Sequence, residues 1–74
     1  MYQYKTAVKW ANGDYEGFVG YSLSSALAAE EAAVNKARLK AAEIGSGFTV
    51  LKKPDFDKLA QEIKLMLAKD WIID

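Results

Sequence analysis

Cysteine and histidine are both missing from these 74 residues, and proline occurs once. Without cysteine there is no disulfide framework, no thiolate nucleophile and no zinc site of the usual sulfur-nitrogen type. Without histidine the commonest general base and metal ligand is gone as well. The expectation is therefore a non-enzymatic chain with no metal and no cofactor, working in a reducing compartment, for which the cytoplasm is the default. Lys5, Lys9, Asp14 and Glu16 interrupt the first twenty residues, so no signal peptide is expected. Nowhere is there a run of about eighteen apolar residues, the minimum for a membrane span.

Charge of one sign is lacking too. Ten basic side chains balance ten acidic ones, leaving no long-range field that draws the molecule to nucleic acid or an anionic membrane. Any such contact has to come from a local patch. Near-zero net charge also removes the repulsion that keeps copies apart.

What is present reads as one globular domain over residues 1–74. Half the chain is hydrophobic (51%) and about a quarter charged (27%), far from the polar balance of disordered sequences. Tyr2, Tyr4, Thr6, Val8 and Trp10 alternate with Gln3, Lys5, Ala7 and Lys9, the period of a half-buried strand. Asn12-Gly13 follows, a strong two-residue hairpin signal, and Tyr15 to about Tyr21 is the returning strand. A two-residue turn sets Trp10 opposite Tyr15, Lys9 opposite Glu16, Ala7 opposite Phe18 and Tyr4 opposite Tyr21. In that register Tyr4, Val8, Trp10, Tyr15, Val19 and Tyr21 share one face. Lys5, Lys9, Glu16 and Phe18 share the other.

An alanine-rich helix should run from a cap at Ser22 or Ser24 to about Ile44, with Leu23, Leu27, Val34, Ala37, Ala41 and Ile44 near one stripe and Gly45 as its stop. Gly47 to Lys52 reads as a third strand. Pro54 opens a second helix to about Lys69, with Phe56, Leu59, Ala60, Ile63, Met66 and Leu67 on one side. The expected fold is an α+β domain of order ββαβα. Its three-stranded antiparallel sheet has the strand order 2-1-3, and both helices lie on the Tyr/Val/Trp face.

No motif carries chemistry. Glu30 and Glu31 are adjacent on a helix, about 100° apart, and cannot converge on one atom. Asp55 and Asp57 suit the N-terminal end of the second helix better than a metal, since they belong to no spaced run of oxygen ligands. Gly45-Ser46-Gly47 follows a helix rather than preceding one, which is the wrong end for phosphate. Gly17 and Gly20 with Ser22, Ser24 and Ser25 run from strand into helix but lack a Gly-Lys-Ser/Thr ending. Lys36, Arg38 and Lys40 fit the dipole at the end of the first helix.

Two apolar features remain as candidate contacts. Phe18, ringed by Lys5, Lys9 and Glu16 on the expected wet face, has the pattern of a contact centre with a polar rim. Trp71 and Ile73 in the Trp71-Ile72-Ile73 segment are the second candidate, the alternative being that they belong to the core. The expected function is a small interaction protein that binds a protein partner stoichiometrically, an inhibitor or regulator of the kind encoded by phages and other mobile elements, with a homodimer as a further candidate assembly. The alternative is a single-stranded nucleic-acid-binding module that uses the sheet face bearing Lys5, Lys9, Lys52 or Lys53, and Phe18.

Overall fold

A computed structural model describes residues 1–71. The strands β1 (Tyr2–Trp10), β2 (Tyr15–Ser22) and β3 (Phe48–Val50) form one antiparallel sheet in the order β2-β1-β3. The helices are α1 (Ala26–Ile44), α2 (Lys53–Asp57) and α3 (Gln61–Asp70). Among the described residues no helix is long and apolar enough to cross a membrane. The α+β class, the antiparallel sheet and the central position of β1 all agree with the sequence expectation.

The hairpin register does not. Trp10 N–H donates to Asp14 O at 2.8 Å and Gly13 N–H donates to Trp10 O at 2.9 Å, which closes a three-residue loop, Ala11 to Gly13, in place of the two-residue turn. Within the loop Gly13 alone takes positive φ, at 94°, as the last residue of a turn that ends in a bulge. The Asn12 side-chain oxygen accepts the Asp14 N–H at 2.9 Å and stabilises the loop locally. One added loop residue shifts every partner by one: Lys9 faces Tyr15, Val8 faces Glu16, Thr6 faces Phe18 and Tyr4 faces Gly20. Because the side-chain period of a strand is two, β2 is turned over relative to the expected arrangement.

Glu16, Phe18 and Gly20 therefore share a face with Tyr4, Val8 and Trp10, and α1 lies on it. Ser25 caps α1 by accepting the Ala28 N–H at 3.0 Å, one residue beyond the expected caps, while Ser22 accepts the Ser24 N–H. Gly45, at φ 65°, ends the helix where expected and donates to Ala41 O. The side laid on the sheet is the alanine row Ala29, Ala33 and Ala37, all fully buried, with Ala41 half-buried against the core beyond them. Small side chains bring the helix close: a Cβ on Gly20 would collide with the backbone of Ala29 and Ala33. Leu23, Leu27 and Ile44, expected on the buried stripe, stay exposed.

The other face carries Lys5, Ala7, Lys9, Gly17 and Val19, and α2 and α3 cover it. A Cβ on Gly17 would stand 2.6 Å from the Trp71 indole nitrogen and 3.1 Å from Asp70 Cβ. Leu67 of α3 is fully buried, as is Val19. The second helical segment thus lies opposite α1, and the expectation of both helices on one face is corrected. Thr6, Ala7 and Val8 are buried in succession, the signature of a strand covered on both sides.

The expected single second helix is also divided. Residues 58–60 are not helical, and Ala60 at ψ 147° starts α3 afresh. The break lets Phe56 pack on Trp71, their ring centroids 5.5 Å apart. In one continuous helix those positions would lie about 22 Å apart along the axis.

Candidate functional site

A concavity of about 1070 Å³ opens around the hairpin loop, between the end of α1 and α3. Its floor is Trp10, placed there because β1 ends where the loop begins. Trp10 is 5% exposed and meets Phe18 and Phe48 edge to face, with centroids at 6.3 and 5.7 Å. The tryptophan N–H donates to Glu16 Oε1 at 3.2 Å, and the same oxygen forms an ion pair with Lys40 Nζ. Lys40 lies 5.9 Å from the centre of the Trp10 ring. Its position three residues after Ala37 sets it beside the buried row, with its amine reaching β2.

The walls are apolar. Ile44 from the last turn of α1 and Met66 from α3 line the cleft while 51% and 44% exposed, and Ile63 and Tyr15 are half-buried beside them. Ser46 and the loop residues Asn12 and Asp14 supply a polar rim. Glu16 accepts from two donors, the Trp10 N–H and the Lys40 amine. The cleft thus sets apolar walls beneath a polar edge.

The residues singled out from the sequence are dispersed. Phe18 and Glu16 are on the α1 face, Phe18 half-buried and Glu16 in the ion pair described above. Lys5 and Lys9 remain exposed on the other face, in separate grooves of about 230 and 440 Å³. Lys9 Nζ lies 5.8 Å from the centre of the Tyr15 ring. The expected ring of charges around Phe18 is therefore not assembled, and its cause is the added loop residue. Trp71 is half-buried, packed on Phe56 with the ring planes inclined at 38°, and donates its indole N–H to Thr6 O at 3.0 Å. Ile73 lies outside the described residues.

No family model, no curated protein and no solved structure matches this chain. Sequence reasoning missed the cleft residues Trp10, Lys40, Ile44, Ile63 and Met66 as a set. The available signal was the unbroken four-residue spacing of Ala29, Ala33, Ala37 and Ala41, which predicts a helix that leaves its larger residues off the contact.

Proposed function

We propose that this chain is a non-enzymatic interaction protein that binds a protein partner stoichiometrically, and that the cleft over Trp10 is its contact site. The carrying observation is the pairing of a buried tryptophan floor with the half-exposed walls Ile44 and Met66. Interface anchors are typically aromatic or apolar groups seated in such pockets, with a polar rim that excludes water. An inhibitor or regulator of the phage or mobile-element type, acting in the cytoplasm, remains the class this reading favours. It rests on size and on the absence of catalytic groupings.

The nucleic-acid alternative needs an open sheet surface bearing an aromatic platform. Here α1 covers one face and α2 with α3 cover the other, and Phe18 packs beside Trp10. Nothing in the geometry favours that reading over protein contact.

The test is affinity capture from the cells that make the protein, with wild type and Ile44→Asp as parallel baits. A protein retained in stoichiometric amount by wild type and lost with Ile44→Asp, both baits being equally folded, supports the proposal. Retention of the same protein by both baits, or of none by wild type, overturns it.

A further inference from the structure

The two edges of the sheet are not equally protected. In β2 the even residues bond to β1, so the backbone groups of the odd residues point outward. Asp70 accepts the Gly17 N–H at 3.1 Å, and Lys36 donates to Val19 O at 2.6 Å, so side chains cap the middle of that edge at two points. On the opposite side β1 is longer than its neighbour. Its odd residues point toward β3, as the Ala11 N–H to Gly47 O and Leu51 N–H to Ala7 O bonds show. The chain then leaves the sheet for α2, and pairing stops at Val8 with Val50. Among the described residues the outward backbone groups of Gln3 and Lys5 have no partner. Tyr2, Tyr4 and Val50, 49%, 37% and 39% exposed, stand on one face beside this open stretch.

We infer that the open stretch Tyr2 to Lys5 pairs antiparallel with the same stretch of a second copy, joining two sheets across a two-fold axis. The occupant follows from charge and register. Only odd residues can exchange bonds there, so three self-pairings exist. One sets Lys5 against Lys5, a like-charge clash. A second sets Gln3 against Gln3 and leaves Lys5 beside Met1 at the end of the strand. The third sets Gln3 against Lys5 of the second copy, twice by symmetry, and brings Tyr4 against Tyr4 on the apolar face. Cross-strand aromatic pairs of this kind are favourable. The chain's balanced charge opposes none of it. This interface is separate from the cleft over Trp10 and does not depend on the function proposed for it.

Sedimentation velocity over the micromolar to millimolar range tests the inference, with circular dichroism to confirm folding of each variant. Wild type should move from monomer to dimer as concentration rises. Gln3→Glu places an acid against Lys5 at both symmetric positions and should tighten the dimer, whereas Gln3→Lys should weaken it, each by about fivefold in Kd. Lys5→Pro removes an outward N–H that β2 does not use, so it should abolish the dimer while the monomer folds. Should Lys5→Pro fail to fold, the opposite responses of the two Gln3 variants still decide the matter. A wild type that stays monomeric throughout, or a dimer indifferent to both Gln3 substitutions, overturns the pairing.

Discussion

Trp10 and Asp14 are joined by a backbone hydrogen bond of 2.8 Å across the hairpin, and this pairing settles which way every side chain of β2 points. Had Trp10 faced Tyr15, Phe18 and Glu16 would be on the far side of the sheet from α1. Gly13, at φ 94° with nothing near its missing Cβ, makes the three-residue loop possible. Gly13→Ala should cost about 1 kcal/mol in a denaturant melt, through the backbone alone. No loss would mean that the loop does not need positive φ.

Gly17 and Gly20 test the two covered faces separately. Gly20→Ala drives a methyl into the backbone of α1, which cannot rotate away, and should cost roughly 3 kcal/mol or more. Gly17→Ala meets the Trp71 side chain and should cost about 1–3 kcal/mol. Gly47→Ala meets nothing and serves as the control. Full tolerance at Gly17 would contradict the placement of Trp71 over that face.

Phe18 packs against the core cluster beside Trp10. It is half-buried beside Trp10, so Phe18→Ala should cost about 3 kcal/mol, toward the lower end of values for aromatic truncation. Leu67→Ala, at a fully buried site, should cost about 2–5 kcal/mol, and Leu65→Ala, at 57% exposure, within about 0.5 kcal/mol. Equal losses at Leu65 and Leu67 would mean that α3 is rotated from the orientation described.

Asp70 holds the Gly17 amide, a charge-assisted bond across 53 positions of sequence. Asp70→Ala should accelerate hydrogen exchange at Gly17 while leaving Phe18, bonded inside the ladder, nearly unchanged. The stability loss should be about 1–2 kcal/mol. Unaltered exchange at Gly17 would show that the edge is protected by something other than this carboxylate.

These outcomes separate what the sequence discloses from what it does not. The alternation of Tyr2 to Trp10 discloses β1 and its buried Val8 and Trp10, because a strand's period is a local property. Gly45 discloses the end of α1 for the same reason. The face of β2 is not local: it turns on one residue in the hairpin loop, and Asn12-Gly13 is compatible with both loop lengths. The opposite placement of α3 is equally hidden, since Lys5 and Lys9 mark that face as wet although Ala7, Gly17 and Val19 mark it as packed. The cleft is harder still to read. Its residues come from β1, β2, α1 and α3, and Ile44 stays exposed at the end of α1 because alanines seat that helix on the sheet.

The most direct measurement of the functional proposal is a calorimetric titration of the captured partner against wild type, Ile44→Ala, Met66→Ala and the outlying controls Leu39→Ala and Leu65→Ala. The account predicts that at least one of Ile44 and Met66 loses about 2 kcal/mol of binding free energy, roughly thirtyfold in Kd, while both controls bind as wild type does. Wild-type affinity in both cleft variants would contradict the assignment of the cleft over Trp10 as the contact site.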